Sequence, residues 1–372
     1  MFSKYSEILK QLEDDSNLRQ LKSGDDDCVN LSSNDYLGLA GDILLKKKFF
    51  KERDIHELDF TSSSSRLLTG NHSEYNKLED TLAELYSQPA ALVFNSGYHA
   101  NIGILPALCG KKDLILADKA VHASIIDGLR LSNATVVRYQ HNNYVHLEKL
   151  LKKYSDNIEN IFIVTESIFS MDGDIADIKQ LVELKKKYNA FLYLDEAHAV
   201  GARGIKGLGL AEELSLIKEI DFLIGTFGKA LASQGAFLIC NKVIKQYLIN
   251  TSRSLIFTTA LPPINVAWSL FIMKNIADYN DARKRLKENS ETFCNILGID
   301  KPQSNIIPLI LGENEKAILL SGKLKKYGIN AMPVRYPTVP KGTARIRFSL
   351  TADLNKEEII DIANRIKVLM KE

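Results

Sequence analysis

The stretch Asp221-Phe-Leu-Ile-Gly-Thr-Phe-Gly-Lys-Ala-Leu-Ala-Ser-Gln-Gly-Ala-Phe-Leu-Ile-Cys240 decides how the rest of the chain is read. Residues 222–224 and 236–240 are short apolar runs without polar alternation, the pattern of strands buried on both faces. Between them Gly225, Thr226, Gly228, Lys229 and Gly235 make a turn in which Lys229 is the only cation. The glycines let the backbone turn tightly and come close to a ligand. A lysine amine at a strand end can form a Schiff base with a carbonyl. It can equally be a solvated loop lysine, and the surrounding sequence has to separate the two readings.

Outward from this stretch, apolar runs alternate with helical periodicity. Strands are expected over 90–94, 113–117, 135–139, 161–166 and 191–196, and helices over 74–86, 102–108, 123–131, 146–154 and 178–188. Such alternation implies right-handed crossovers and an α/β fold with a mainly parallel sheet. Three helices close on the same Lys-Lys-Tyr, at 152–154, 186–188 and 325–327, where cations complement the helix dipole. Near the N-terminus, Tyr5, Ile8, Leu9, Leu12 and Leu18 suggest an amphipathic helix over 4–22. An acidic turn at 24–27 follows it, and 29–38 reads as a strand running into a turn. Residues 60–73 form a polar loop too long for a plain connector. From Trp268 to Ile296 helical character continues as a link to a second, α+β domain. That domain holds a strand over 306–311, a helix over 316–327, an alternating strand over 344–350 and an amphipathic helix over 356–370. The expected division is an N-terminal helix and arm (1–44), a large domain (45–275) and a small domain (276–372).

The 372 residues carry a net charge of +2, which gives no reason to expect nucleic acid or a membrane as partner. Cys28, Cys109, Cys240 and Cys294 show no metal-ligand spacing and read as thiols of a reducing compartment. No apolar run approaches a membrane span and the first residues lack a signal pattern, so a cytoplasmic location is expected and no metal site.

In an open parallel sheet, ligands collect at the carboxyl ends of strands. The residues there are Ser96-Gly97-Tyr98, His122, Ser170, Asp195 with His198, and Thr226 with Lys229. Singly each has a plain structural use, as a helix cap, a core histidine or a surface residue. Together they match the needs of pyridoxal phosphate (PLP). Asp195 can pair with the pyridine nitrogen, His198 with the ring hydroxyl, and His122 can stack on the ring face. Ser96, the N–H groups of Gly97 and Tyr98, and Thr226 can hold the phosphate. Lys229 supplies the amine. A dinucleotide enzyme is disfavoured because no GxGxxG follows the first strand.

Asp195-Glu-Ala-His198 ahead of Thr226-Phe-Gly-Lys229 resembles the fold-type-I PLP enzymes, and specifically the α-oxoamine synthases. The resemblance also runs through Ser33-Asn-Asp-Tyr-Leu-Gly38, Ser65-Arg-Leu-Leu-Thr-Gly70, Val121-His-Ala-Ser124 and Phe169-Ser-Met-Asp-Gly-Asp174. It continues in Phe257-Thr-Thr-Ala-Leu-Pro-Pro263 and Pro337-Thr-Val-Pro-Lys-Gly-Thr-Ala-Arg-Ile-Arg347. It implies a seven-stranded, mainly parallel sheet with helices on both faces, a small C-terminal domain, and a homodimer. It implies decarboxylative condensation of a small amino acid with an acyl thioester, carried on coenzyme A or a carrier protein. By the same resemblance His122, Asp195 and Lys229 are catalytic, and Ser170 serves the cofactor hydroxyl region. Thr258 reaches the phosphate of the neighbouring subunit, and Arg347, in preference to Arg345, holds the amino acid carboxylate near Asn34. The chain departs from the family at the serine run 62–65 and at Ala199, where glycines are usual, and at Tyr75, where histidine is common.

Overall fold

The computed structural model describes residues 2–21, 27–54, 56, 58–154 and 158–370. The acidic turn expected at 24–27 lies outside the described residues apart from Asp27. In chain order the strands are β1 (Val29–Asn30), β2 (Ala90–Phe94), β3 (Leu114–Asp118), β4 (Thr135–Tyr139), β5 (Ile161–Glu166), β6 (Phe191–Asp195), β7 (Phe222–Thr226) and β8 (Ala236–Cys240). They continue as β9 (Ile306–Gly312), β10 (Ile329–Asn330), β11 (Pro333–Val334) and β12 (Ala344–Ser349). The chain divides into two units. One comprises Met1–Tyr36, Ser170–Gly173 and Arg285–Glu372; the other comprises Leu37–Phe169 and Asp174–Lys284.

The larger unit is built on a seven-stranded sheet in the order β2-β8-β7-β6-β5-β3-β4. β8 is antiparallel to both β2 and β7, while the pairs from β7 to β4 are parallel, so every strand but β8 runs the same way. The cause is local. Residues 227–235 between β7 and β8 are too few for a crossover helix, so the chain must turn back beside β7. β2, β3, β5, β7 and β8 are buried at every position, and β4, at the sheet edge, is largely exposed. Gly225 on β7 lies under the ring of Phe237 on β8, where a Cβ would sit 2.2 Å from the ring. Gly235 adopts φ +110°, a conformation that favours glycine.

Four of the crossover helices have caps that their sequence supplies. Ser96 accepts from His99 N–H, His122 from Ser124 N–H, Asn143 from His146 N–H and Asp177 from Gln180 N–H. The lysines of the Lys-Lys-Tyr endings lie in or beside the last turn, and Tyr154, Tyr188 and Tyr327 are the C-caps. The link expected as one helical stretch over 268–296 is three pieces: helix Pro263–Lys274, a 3-10 turn Ile276–Tyr279 and helix Asn280–Leu297.

In the smaller unit β12 is the central strand of a three-stranded antiparallel sheet, β11-β12-β9. All six of its residues are buried, so the alternation in its sequence does not mark a solvent face. β1 pairs in parallel with β10. The N-terminal helix Ser3–Asp14 is shorter than expected, and its apolar residues Tyr5, Ile8, Leu9 and Leu12 are exposed.

One buried carboxylate ties the polar loop 60–73 to the sheet. Glu79 Oε1 accepts from Arg66 Nη1 at 2.7 Å and from Val93 N–H at 2.9 Å, while Oε2 lies 2.7 Å from Lys245 Nζ. Arg66 also covers the Tyr75 ring, 4.0 Å from its centroid. Truncating Glu79 strands two largely buried cations. Glu79→Ala is therefore expected to lower the unfolding free energy by about 3–5 kcal/mol in urea titration; a loss below about 1 kcal/mol would show the pair to be solvent-compensated.

Candidate active site

The residues singled out in the sequence fall into two groups, each within one unit. In the larger unit, the shared strand direction carries Ser96 after β2, Asp118 on β3, Glu166 on β5, Asp195 on β6 and Thr226 on β7 to one edge of the sheet.

Asp195 is only 6% exposed. Its Oδ2 accepts from Asn101 Nδ2 at 2.9 Å and its Oδ1 from Ala197 N–H at 2.9 Å. In register beside it on β5 is Glu166, also buried, whose carboxyl accepts from His122 N–H. Burial, together with the charge of Asp195, pushes the Glu166 carboxyl well above the ordinary carboxylate range. Of this pair, Glu166 is the carboxyl held towards the neutral form. Three residues after Asp195, His198 is buried, with Nε2 2.8 Å from Lys229 Nζ. Lys229 itself is half-buried, in a turn closed by Phe227 N–H to Gly235 O and Ser233 N–H to Phe227 O. Thr226 ties the same turn: Oγ1 donates to Gly235 O at 3.0 Å and accepts from Gly228 N–H at 3.2 Å.

His122 begins helix Ala123–Leu131, with Nδ1 2.8 Å from Ser124 Oγ. Desolvation by the surrounding chain lowers its pKa below the usual histidine value, outweighing the pull of Asp195, and the charge of Lys229 acts in the same direction. Ser96 caps helix Gly97–Leu108, and its hydroxyl also lies 2.9 Å from His99 Nδ1. Its oxygen is thus engaged by its own helix, and the N–H groups of the first turn are what that end offers an anion. A Cβ on Gly97 would meet nothing within 4 Å, so there is room beside them. The Tyr98 hydroxyl donates to Asp127 at 2.7 Å. Thr258 Oγ1 accepts from Asn95 Nδ2 of the same chain at 3.1 Å.

In the smaller unit, Arg347 on β12 donates through Nε to the Ser170 carbonyl and through Nη2 to Asn34 Oδ1 at 3.3 Å. Tyr36, fully buried, donates to that same oxygen at 3.1 Å. With Asn34 Oδ1 occupied twice, its Nδ2 is turned the other way as a donor. Arg345, two residues along, pairs with Asp172 and is consumed structurally. A further pair escaped the sequence reading. Arg19 Nη2 donates to Thr338 Oγ1 at 3.0 Å, and Arg335 donates to the Ser16 carbonyl. Burial and the neighbouring Arg19 charge both lower the Arg335 pKa. The available signal was Arg335 directly ahead of Tyr336-Pro337 and the motif that follows.

The aminotransferase class I and II family matches residues 26–366. A protein of Glaesserella parasuis serovar 5, "Putative 8-amino-7-oxononanoate synthase", is 50% identical over 97% of this chain and 99% of its own. A protein of the same name from Neisseria meningitidis serogroup A is 53% identical over 90% of each chain. Among solved structures, serine palmitoyltransferase from S. paucimobilis, with a bound PLP–myriocin adduct, superposes with a TM-score of 0.90 at 27% identity, covering 100% of this chain and 97% of that one. 8-Amino-7-oxononanoate synthase from Francisella tularensis gives 0.76 at 32% identity, covering 93% and 99%. The chain belongs to the aminotransferase class I and II family, with the fold-type-I architecture and pyridoxal phosphate as cofactor. Within that family it is an α-oxoamine synthase, a PLP-dependent C-acyltransferase.

The residues present fit that cofactor: an amine beside His198, a buried carboxylate with its own donors, and a helix start with open space at Gly97. Among the described residues no helix is long and apolar enough to cross a membrane.

At the same edge His141 lies between two carboxylates, Nδ1 2.9 Å from Asp118 and Nε2 2.7 Å from Asp174. Burial works against its charge, but Asp118 and Asp174 outweigh it and push the pKa up to about 10. The folded value is above the unfolded one, so this stabilisation is complete below about pH 6.5 and is lost as pH rises through about 10. Thermal melts of wild type and His141→Gln should accordingly differ most at neutral and acid pH and converge towards pH 10. A gap that widens with alkali would contradict an imidazolium here.

Proposed function

We propose that this chain condenses L-alanine with a pimeloyl thioester, carried on coenzyme A or an acyl carrier protein. The products are 8-amino-7-oxononanoate, CO2 and the free thiol, a step towards biotin. Relatives 50% and 53% identical to it over 90% or more of its length bear that name, which supports the reading. The observation that carries a chain ending in a charge is Arg19, held on Thr338 and close enough to Arg335 for its charge to be felt there. A pimeloyl chain ends in a second carboxylate, and two adjacent guanidiniums suit it. An acetyl or palmitoyl chain offers them nothing; a succinyl chain also ends in a carboxylate, and the name of the relatives favours pimeloyl over it.

Pyridoxal phosphate, when bound, supplies an electrophilic carbonyl for the substrate amine and a ring that draws electrons from the α-carbon. Lys229 is the amine that would hold the cofactor, and its Nζ would take the α-proton of alanine. Asp195 keeps a proton on the ring nitrogen, and His198 and Ser170 serve the ring hydroxyl. His122 presents its flat ring to the cofactor face. The phosphate falls to Ser96, Gly97, Tyr98 and Thr226. Arg347 holds the alanine carboxylate, with Asn34 Nδ2 as second donor, and so orients the bonds about the α-carbon. We further propose a two-fold homodimer in which Thr258 serves the phosphate held by the partner subunit.

Holoenzyme given L-alanine and a pimeloyl thioester should release CO2 and the aminoketone, and Arg19→Ala should raise KM for the thioester about tenfold with kcat little changed, the loss of roughly one charged hydrogen bond. Faster turnover of glycine with acetyl-CoA would replace this reading with a glycine acetyltransferase. Asp195→Asn should retain cofactor yet lose on the order of 10²–10³ in kcat, the scale of a removed preorganised charge. Turnover close to wild type would refute the role given to Asp195.

A further inference from the structure

We propose that Asn101 is a positioning residue. Its one side-chain amide orients both groups assigned above to the cofactor ring, Asp195 and His122, and fixes His122 as the neutral tautomer with its proton on Nε2. The proposal rests on that assignment.

Asn101 is fully buried on helix Gly97–Leu108. Its Oδ1 accepts from the Tyr193 hydroxyl at 2.5 Å. Its Nδ2 donates to Asp195 Oδ2 at 2.9 Å and to Ser124 Oγ at 2.9 Å. A primary amide has two hydrogens to give, and both are committed. The amide cannot be flipped, because its oxygen would then face a carboxylate that has no hydrogen to donate.

The direction of the bonds propagates. Ser124 Oγ, having accepted from Asn101, has its own hydrogen left, and His122 Nδ1 lies 2.8 Å away. Ser124 N–H also points at Nδ1, at 3.2 Å. Two donors converging on Nδ1 leave that nitrogen without a proton. The packing that permits this is close. A Cβ on Gly128 would lie 2.4 Å from the Asn101 carbonyl oxygen, so only glycine lets helix Ala123–Leu131 bring Ser124 within reach.

Aspartate, nearly the same shape, could not replace Asn101. It would set a second carboxylate against Asp195, and it would claim the Ser124 hydrogen that His122 now receives. The charged groups bearing on His122 are Asp195 on β6, Lys229 in its turn and Asp127 on its own helix, with the Glu166 carboxyl on its backbone N–H. None of them bonds Nδ1 in place of Ser124.

The test uses two measurements. In the cofactor-free full chain, ¹⁵N spectra of labelled histidines, with His122 assigned by its loss in His122→Gln, should show Nδ1 as an unprotonated acceptor at neutral pH. Ser124→Ala and Asn101→Asp should each weaken that preference, with the backbone N–H of residue 124 remaining as the second donor. In the second measurement, Asn101→Ala should bind PLP roughly 10- to 100-fold more weakly, the scale of one charge-assisted hydrogen bond, and should shift the pH midpoint of the bound-cofactor absorption. A protonated Nδ1 in wild type overturns the proposal, as does an unchanged tautomer in both variants or unchanged PLP affinity and midpoint in Asn101→Ala. Should Asn101→Ala fail to fold, Tyr193→Phe frees the amide to turn and tests the Asp195 arm by the same titration. Failure of the underlying assignment shows separately, as turnover indifferent to Asp195→Asn.

Discussion

A carboxylate buried at the carboxyl end of β6 is the constraint around which the larger unit is arranged. An ion taken out of water costs several kcal/mol unless donors replace its hydration. Asp195 finds them in Asn101 and Ala197 N–H. Its register neighbour Glu166 sits under the same conditions, with only the His122 N–H as its named donor, and its pKa rises accordingly. Of this register pair, Glu166 is the one pushed towards its neutral form, and Asp195 is the one that holds two donors.

The lysine is delivered to that edge by a shortage of chain. With residues 227–235 too short to cross the sheet, β8 must lie antiparallel beside β7, and Lys229 stays at the end where Asp195 and His198 already are. Gly225 and Gly235 earn their places for different reasons: the first makes room for the Phe237 ring, the second supplies a left-handed bend. Neither reason involves a ligand. At Gly97 the case is the reverse, with open space where a side chain could stand.

In the smaller unit two arginines on one strand face opposite fates. Arg345 is neutralised by Asp172. Arg347 is held by a carbonyl and an amide oxygen, neither of which carries a full charge, so its own charge stays available for a carboxylate. Its hold on Asn34 is shared with Tyr36, a buried phenol whose pKa rises because burial outweighs the nearby guanidinium.

The sequence by itself determined the mainly parallel sheet, its crossover helices and the placement of Lys229, Asp195, His122 and His198 at one end of the strands, because periodicity, caps and strand-end positions are local properties. Even the reversal of β8 was legible in the length of its turn. The sequence could not show that β12 is buried on both faces, since alternation along a strand says nothing of what covers it. Nor could it show that the apolar stripe of the first helix is exposed. Asn101, Ser124 and Tyr193 looked like ordinary helix and strand residues, and Arg19 like part of a polar arm. Hydrogen bonds between positions far apart in the chain gave them their roles, and only the tertiary structure decides which distant atoms come within 3 Å of one another.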